Sequence, residues 1–265
     1  MKAMIFAAGL GTRLKPITDT MPKALVPVCG QPLLYHVITK LVAAGYDDIV
    51  VNVHHFPDLI IHYLHSHEFG AKIAVSDERD FLRETGGGIR YAQSLLVDEE
   101  IPGQAGNDGG SQAGNDGSNP FLVHNVDIVS NLDLAWLREQ HRPDALATVV
   151  VSERKTQRYL LFDEDGRLKG WTNIATGEVR SPYPDIDPDQ CRKLAFAGIH
   201  LMSPAIFEAF DRLGFGERFS IMDFYIRACA DYPIYGVVPP DFTMVDVGKK
   251  ETLSEAERVC ESSLK

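Results

Sequence analysis

A short glycine-rich segment with two cations, residues 7–23, carries the residues best suited to chemistry. Gly9 and Gly11 lack a Cβ atom, so their backbone amides can approach an anion closely. Arg13 and Lys23 add two positive charges to the same segment. Amide donors combined with fixed cations suit the oxygens and the charge of a triphosphate. The segment therefore predicts a site for nucleotide phosphates, and a structural turn with incidental basic residues is the alternative.

The segment differs from the two common phosphate-binding motifs, because it lacks the third glycine of G-x-G-x-x-G and the Gly-Lys-Ser/Thr of a P-loop. It resembles the motif of the sugar-phosphate nucleotidyltransferases, G-x-G-T-R-L-x-P-x-T-x-x-x-P-K. The fixed positions of that motif are all matched, by Gly9, Gly11, Thr12, Arg13, Leu14, Pro16, Thr18, Pro22 and Lys23. The resemblance implies an enzyme that joins a nucleoside triphosphate to a sugar 1-phosphate and releases pyrophosphate. It also implies that the nucleotide is bound by Ala8, Gly9, Gly11 and Thr12.

Such a transfer needs no general base, since the attacking oxygen of the sugar phosphate is already a nucleophile. The requirement is electrostatic, because two polyanions must meet and negative charge grows on the α-phosphate and the leaving group. The resemblance implies that Lys23 neutralises the α- and β-phosphates and the pyrophosphate, and that Arg13 holds the β- and γ-phosphates. Together with Asp127 these two cations form the predicted catalytic set. Solvated surface charge is the alternative for both cations.

Two carboxylates, Asp127 and Asp246, are the candidates for binding Mg²⁺, the expected cofactor. Asp127 follows an apolar run at 121–126, and open α/β sheets bind ligands beyond the carboxyl ends of their strands. Asp246 lies in Val-Asp-Val-Gly, which resembles the family's W-x-D-V/I-G-T/K element. Helix capping is the alternative for each carboxylate. The family usually has a glycine before the first of them, where this chain has Val126, and the preceding Asn125 is predicted to bind the nucleotide.

The run Glu84-Thr-Gly-Gly-Gly opens a predicted helix. Three glycines at a helix entrance weaken the helix, so their backbone is expected to serve another purpose; a flexible helix N-terminus is the alternative. The resemblance places Glu84 and Gly86 beside the nucleobase and ribose. The run is particularly similar to that of the N-acetylmuramate 1-phosphate uridylyltransferases of cell-wall recycling. It favours UTP with N-acetylmuramate 1-phosphate or a similar hexose 1-phosphate, and mannose- or heptose-1-phosphate guanylyltransfer is the alternative.

The sugar side of the site has fewer matching residues. The run Ala-Gly-Ile-His around Gly198 resembles a family strand whose amides meet sugar hydroxyls, so Gly198 is predicted to bind the sugar. Asn173 and Glu178 are further predicted sugar contacts. Lys155 and Arg158 lie near the region where relatives hold the sugar phosphate, and exposed surface charge is the alternative for both.

Two other functions are compatible with the sequence. A related transferase could move a nucleotide onto phosphocholine, whose cation would favour an aromatic cage. The candidates for that cage, if they are not packing residues, are Trp171, Tyr183, Phe196 and Tyr225. A nucleotide-binding regulator without turnover is the second alternative, and the intact set of two cations and two carboxylates argues against it.

Composition excludes several classes of protein. The chain has 265 residues and a net charge of −11 without a basic cluster, which argues against nucleic acid or an anionic membrane as a partner. The apolar start is too short for a signal sequence or a transmembrane helix, so a cytoplasmic location is expected. The four cysteines show no C-x-x-C spacing and the pair His54-His55 matches no zinc motif, so neither zinc nor disulfides are expected. Nothing in the sequence indicates the oligomeric state.

The elements that must position these residues alternate between strand and helix in the first half. Strands are predicted at 3–6, 48–53, 72–75, 121–124, 145–152, 158–162, 168–172, 193–201 and 234–238. Helices are predicted at 32–44, 58–67, 87–96, 203–210, 220–231 and 249–261, with a loop over 173–190. The pattern predicts an α/β fold, a Rossmann-like three-layer sandwich with a mostly parallel mixed central sheet, in a single domain of residues 1–265. Such a sheet would bring the glycine-rich segment and the end of the 121–124 strand into one crevice.

Residues 98–119 break this alternation. Gln-Ala-Gly-Asn-Asp-Gly-Gly-Ser at 104–111 is followed by Gln-Ala-Gly-Asn-Asp-Gly-Ser at 112–118. This duplication has almost no apolar side chain to bury, so it predicts a mobile surface loop of unassigned role. A calcium-binding loop is the alternative, but no bidentate glutamate follows at the required spacing.

Overall fold

The computed structural model of the protein describes residues 1–97 and 119–263. The duplicated segment at 104–118 lies outside the described residues, and the loop predicted there stays a prediction. The strands are β1 (Lys2–Phe6), β2 (Pro27–Val28), β3 (Gln31–Pro32), β4 (Asp48–Val53), β5 (Lys72–Asp77), β6 (Phe121–Asn125), β7 (Ile128–Ser130), β8 (Ala147–Ser152), β9 (Arg158–Phe162), β10 (Leu168–Asn173), β11 (Glu178–Arg180), β12 (Arg192–Met202), β13 (Ile234–Val237) and β14 (Met244–Asp246). The α-helices are α1 (Leu33–Ala43), α2 (Pro57–His65), α3 (Glu84–Tyr91), α4 (Gln93–Leu96), α5 (Leu134–Glu139), α6 (Ile206–Arg212), α7 (Ile221–Ala228) and α8 (Leu253–Ser263).

Ten of these strands form one mixed sheet. Its order is β11-β10-β9-β12-β6-β1-β4-β5; in addition, β8 pairs with β12, and β13 pairs with β8. The strands β6, β1, β4 and β5 run parallel to one another, and so do β8 and β13. The long strand β12 runs antiparallel to β6, β8 and β9. The predicted α/β class with a mixed sheet is confirmed, with parallel pairing in the first half and mostly antiparallel pairing in the second.

Apolar side chains cover both faces of this sheet and produce the three predicted layers. Ala3 and Ile5 of β1 belong to one buried cluster, whereas Met4 between them belongs to another. This division follows from the strand itself, because successive side chains point to opposite faces. Helix α1 covers the first face, and α6 and α7 cover the second. The buried residues of α1 recur at the predicted helical spacing and are Leu33, Leu34, Val37, Ile38 and Leu41.

Two predicted segments differ from the structure. The helix expected at 87–96 begins earlier, at Glu84, and is divided into α3 and α4. The loop expected over 173–190 contains β11, which pairs with β10 through Asn173 and Glu178. A three-residue strand has no periodicity of its own, and it is stabilised by its partner rather than by local preference. Sequence patterns therefore do not reveal it.

Helix α5 settles one of the alternatives for Asp127. Its N-cap is Asp133, whose side chain accepts hydrogen bonds from the amides of Ala135 at 2.8 Å and Trp136 at 3.2 Å. A side-chain oxygen at this position satisfies amides that have no partner within the helix. The helix thus has its cap already, and the capping role proposed for Asp127 is wrong.

Candidate active site

The glycine-rich segment follows β1 directly and is fixed at its start by a side chain from β4. The Oδ1 atom of Asn52 accepts hydrogen bonds from the amides of Ala7 at 2.7 Å and Ala8 at 3.2 Å. The Ala8 amide, predicted to bind the nucleotide, is therefore already engaged. In contrast, no atom of residues 1–97 or 119–263 accepts a hydrogen bond from the amides of Gly9, Leu10 or Gly11. These three amides are the donors available to an anion.

Gly11 is the glycine of the segment that sterics require. Its φ angle is +63°, a conformation that side chains with a Cβ adopt rarely. A Cβ at this position would also lie 2.8 Å from Cγ2 of Thr18. The Thr18 hydroxyl donates to the Gly11 carbonyl at 2.7 Å and closes the turn. The tight turn explains why a threonine follows at the seventh position after Gly11 in the motif.

A cavity of about 430 Å³ opens at the carboxyl ends of β1 and β6, as the topology predicts. It collects most of the predicted nucleotide and catalytic residues, namely Ala8, Gly9, Gly11, Thr12, Arg13, Lys23, Glu84, Asn125 and Asp127. Sequence reasoning did not select the other polar residues that line it, which are Asn52, Glu78 and Thr85. Asn52 does carry a recognisable signal, because it is a polar residue near the end of the apolar run that forms β4.

Lys23 and Arg13 both line the cavity, and their side chains have different neighbours. The Lys23 side chain is 10% exposed and its Nζ forms an ion pair with Oδ2 of Asp127. The Arg13 guanidinium lies against the backbone of Gly248, where an added Cβ would be 2.6 Å from Nη2. The burial and ion pair of Lys23 argue against a solvated surface charge there, whereas Arg13 lines the cavity with its side chain exposed.

The two candidate metal ligands are brought together by a small antiparallel pair of strands. In this pair, β7 with β14, Asp246 lies opposite Ile128, the residue that follows Asp127. The amide of Val247 also donates to the Asp127 carbonyl at 2.8 Å. Burial raises the pKa of Asp246, and the negative charge of Asp127 raises it further, whereas Lys23, Arg13 and Arg154 oppose the shift.

The donor set of this pair fits a divalent cation. Oδ1 of Asp246 is buried and has no hydrogen-bond partner. A buried carboxylate oxygen without a partner beside a second carboxylate is costly, and a cation between them would relieve that cost. No group of three or more His, Cys, Asp or Glu side chains able to hold a metal occurs in the described part of the chain. Two carboxylates suit Mg²⁺, which retains waters and substrate oxygens as its other ligands.

The glycines after Glu84 serve packing of α3. Amides of Gly86 and Gly87 donate to the Phe219 carbonyl at 2.9 and 3.1 Å. A Cβ on Gly86 would lie 2.2 Å from the Phe219 ring, and one on Gly87 would lie 2.2 Å from the Glu217 carbonyl oxygen. Gly86 is not among the residues that line the cavity. The close approach of the 217–219 segment therefore accounts for the glycines without a nucleotide contact.

Glu84 stands at the rim of the same cavity. Its φ angle is +61° although it is not glycine, and its carboxylate accepts from Nε of Arg218 at 3.0 Å. A non-glycine residue in this region stores backbone strain, and such residues cluster at binding sites. Glu84 and Thr85 both line the cavity, in agreement with a position beside the nucleotide.

The predicted sugar contacts are divided by the structure. Gly198 has φ +76°, and a Cβ there would lie 2.8 Å from Nδ2 of Asn125. This glycine therefore packs against Asn125, which lines the cavity, but does not line the cavity itself. Asn173 and Glu178 pair across the β10–β11 hairpin at the edge of the sheet and do not line the cavity. The charge of Arg154 opposes the rise in the pKa of Asp246. The Arg154 guanidinium also donates to the Phe196 carbonyl at 3.1 Å. The resemblance to the family points instead to its neighbour Lys155 and to Arg158 as residues near the sugar phosphate.

The four aromatic residues considered for a choline cage are packing residues. Tyr225 belongs to the second buried cluster, and its hydroxyl bonds to Nδ1 of His200 at 2.7 Å. Trp171, Tyr183 and Phe196 pack against the same cluster. These contacts favour the packing alternative for the four rings over an aromatic cage.

The similarity of this chain to known proteins identifies its family. Residues 2–160 match the sequence profile of the family described as Nucleotidyl transferase. The chain belongs to this family. It is 33% identical to the N-acetylmuramate alpha-1-phosphate uridylyltransferase of Caulobacter vibrioides over 267 aligned positions, which cover 96% of this chain and 95% of that protein. Membership of the nucleotidyl transferase family makes the protein a sugar-1-phosphate nucleotidyltransferase, whose substrates are a nucleotide and a sugar phosphate.

Other family members are similar over less of their length. The mannose-1-phosphate guanyltransferase of Yarrowia lipolytica is 33% identical over 216 positions, covering 80% of this chain and 52% of that protein. The chain thus spans about half the length of that relative. The fold is also similar to the crystal structure of HddC from Yersinia pseudotuberculosis, with a TM-score of 0.71 and 21% identity over 97% of this chain and 98% of that chain.

Three further expectations from the sequence concern membrane spans, cysteines and the histidine pair. Among residues 1–97 and 119–263, no helix combines the length and apolar character needed to cross a membrane. Within the described residues, Cys29, Cys191 and Cys229 are free thiols. His54 and His55 take structural roles, since Nδ1 of His54 bonds to the Glu78 carbonyl at 2.7 Å and the His55 ring contacts Phe56.

Proposed function

We propose that the protein transfers a uridylyl group from UTP to N-acetylmuramate 1-phosphate, or to a similar hexose 1-phosphate, in a Mg²⁺-dependent reaction. The observation that carries the proposal is the convergence of free amides, two cations and Asp127 on one cavity, with Asp246 beside Asp127 although it does not itself line the cavity. The choice of substrates is supported by the similarity to the uridylyltransferase along nearly the whole chain and by the Glu-Thr-Gly-Gly-Gly run.

In the proposed reaction an oxygen of the sugar phosphate attacks the α-phosphorus of the nucleotide. A new P–O bond forms, the bond between the α-phosphorus and the bridging oxygen breaks, and pyrophosphate leaves with that electron pair. No proton transfer is required. The amides of Gly9, Leu10 and Gly11 bind phosphate oxygens of the nucleotide, and Arg13 stabilises the charge of the leaving group.

Lys23, Asp127 and Asp246 act at the centre of the proposed site. Asp127 and Asp246 would hold Mg²⁺, which supplies charge neutralisation on the α-phosphate and the leaving group. Lys23 is held beside Asp127 by their ion pair before substrate arrives, so its charge is placed in advance. Glu84 and Thr85 contact the nucleoside end of the nucleotide.

A second substrate pair, GTP with mannose 1-phosphate, is favoured by the similarity to the guanyltransferase of Yarrowia lipolytica. A single screen separates the two pairs. Pyrophosphate release is measured for each of the four nucleoside triphosphates against N-acetylmuramate, mannose and glucose 1-phosphates and phosphocholine. The expected result is the largest kcat/KM with UTP and N-acetylmuramate 1-phosphate. Release with GTP and mannose 1-phosphate alone would transfer the proposal to the second pair, and release with phosphocholine alone would contradict both.

A further inference from the structure

Asn52 is a buried polar side chain in an apolar strand, and all of its hydrogen bonds point to neighbouring segments. It is 2% exposed. Oδ1 accepts from the amides of Ala7 and Ala8, and Nδ2 donates to Oε1 of Glu78 at 2.8 Å. Leaving a buried amide group without partners would cost about 1–3 kcal/mol. Asn52 therefore links the start of the glycine-rich segment to the residue that follows β5.

Glu78 supplies the acceptor for the NH₂ group of the Asn52 carboxamide. Glu78 is fully buried, and its Oε2 accepts from the amide of Arg83 at 3.2 Å. Burial raises the pKa of Glu78, whereas the hydrogen bonds from Asn52 and the Arg83 amide and the charges of Arg83 and His54 oppose the shift. The backbone amides of Ala7 and Ala8 can only donate, so the oxygen of Asn52 faces them. The NH₂ group of Asn52 then faces Glu78 and needs the acceptor that Oε1 of Glu78 supplies.

The surrounding packing is shaped to this pair of side chains. A Cβ on Gly88 of α3 would lie 2.9 Å from Oε1 of Glu78 and 3.3 Å from Nδ2 of Asn52. The amide of Glu78 donates to the Val53 carbonyl at 2.8 Å, which fixes its backbone beside β4. Helix α3 and the ends of β4 and β5 thus close around one polar contact.

We propose that Asn52 is a positioning residue for the phosphate site, and that Glu78 orients it. Two consecutive amides, those of Ala7 and Ala8, are held by one oxygen of Asn52. The next three amides, which have no acceptor among the described residues, are thereby kept along the wall of the cavity before a nucleotide binds. Donors that are ordered in advance bind an anion without the cost of ordering the segment. This inference rests on the proposed function, because it assumes that the anion is a nucleotide phosphate.

An exchange of the two polar side chains tests this inference. Asn52→Asp alone places a second hydrogen-bond acceptor against Glu78, and we expect the KM for the nucleoside triphosphate to rise about thirtyfold, with a smaller change in kcat. In the double variant Asn52→Asp/Glu78→Gln, the new amide donates to the new carboxylate, the Arg83 amide keeps an acceptor, and the net charge is unchanged. We expect this double variant to return to within about threefold of the wild-type KM.

Two single variants complete the series. Glu78→Gln keeps Asn52, but the new side chain has only one acceptor oxygen for two donors, the NH₂ group of Asn52 and the amide of Arg83. We expect a smaller rise in KM than for Asn52→Asp. Asn119→Asp is the matched control, since Asn119 is exposed just before the start of β6, whereas the cavity lies at the carboxyl end of that strand. Its KM is expected to equal that of the wild type. Thermal unfolding of all four variants establishes that they are folded.

Several outcomes would overturn the inference. It fails if Asn52→Asp leaves the KM unchanged, or if the double variant is folded but no better than Asn52→Asp. Amide hydrogen exchange of Ala7 and Ala8 gives a reading without catalysis: slow in the wild type and the double variant, and at least about tenfold faster in Glu78→Gln and Asn52→Asp. Equal exchange in all of them would also overturn it. Absence of turnover and of nucleotide binding in the wild type would instead refute the proposed function, and the exchange measurement would still test the network.

Discussion

The phosphate end of the cavity and the β10–β11 hairpin contrast in how their polar groups are used. At the phosphate end, three consecutive amides have no acceptor in the described residues and one oxygen of Asp246 has no partner. In the hairpin, Asn173 and Thr176 satisfy neighbouring amides of the same turn. Polar groups without partners can bind a ligand, whereas polar groups that bond within the same turn stabilise the conformation of that turn.

The largest expected effect concerns Asp127. In Asp127→Ala the site loses one of its two carboxylates and the partner of Lys23, so turnover should fall by about 10³-fold or more, because stabilisation of the phosphate charge is lost. Pyrophosphate release measures this loss. Asp133→Ala is the matched control, since it removes an aspartate that only caps α5. It should lower the free energy of unfolding by about 1 kcal/mol and leave turnover unchanged. Turnover in Asp127→Ala within tenfold of the wild type would contradict the metal assignment.

Two buried histidines lie on neighbouring strands of the main sheet, between the phosphate end of the cavity and the β10–β11 hairpin. Burial lowers the pKa of His124 in β6 to about 3, with the charge of Lys40 adding to it, and burial likewise lowers the pKa of His200 in β12 to about 3. The unfolded chain binds these protons near pH 6.5. The free energy of unfolding should therefore decrease as the pH falls from about 6.5 toward 3. Ring signals of both histidines in an NMR titration should keep the neutral form down to about pH 4, and a midpoint near 6.5 for either would refute this.

A smaller effect is expected at Gly248. A Cβ there would lie 2.6 Å from Nη2 of Arg13 and 2.8 Å from Oδ1 of Asp246. Gly248→Ala should push the guanidinium away and raise the KM for the nucleoside triphosphate about tenfold. Gly216→Ala provides the control, because nothing lies within 4 Å of a Cβ at that position. If both variants bind the nucleotide equally well, Arg13 does not depend on this contact.

The smallest effect is expected in the hairpin. Oδ1 of Asn173 accepts from the amide of Ala175 at 3.1 Å within the turn. Asn173→Ala should lower the free energy of unfolding by about 0.5–1 kcal/mol and change the KM for the sugar phosphate by less than about threefold. Steady-state kinetics and urea unfolding measure the two quantities. A tenfold rise in that KM would place the hairpin in the sugar site and remove the contrast drawn above.

The parts of the site that follow strands directly could be predicted from the sequence. Gly9, Gly11 and Arg13 come after β1, Asp127 comes after β6, and the rule for open α/β sheets places both strand ends in one crevice. The motif fixed the spacing of these groups within the chain. Asp246 was predicted through its own short motif, and the β7–β14 pairing supplies the contact that brings it to Asp127.

The parts that depend on packing between distant segments could not be predicted. The glycines after Glu84 were expected to serve the nucleotide, yet Gly86 and Gly87 meet the 217–219 segment, which lies about half the chain away. The role of Asn52 depends on Glu78 and on two amides near the N-terminus. Such contacts join single residues from segments that are distant in the sequence, so they produce no periodic pattern.

The small β7–β14 pair has a consequence for the biosynthesis of the protein. Residues 244–248 supply Asp246, the backbone beside Arg13 and the amide that bonds to the Asp127 carbonyl. The glycine-rich segment leaves the ribosome early, but its carboxylate partner and its backbone support follow more than 200 residues later in the chain. A nascent chain that stops before residue 244 contains the complete motif and still lacks a working centre. A nucleotide can therefore meet a complete site only after residues 244–248 have been translated and have folded against β7.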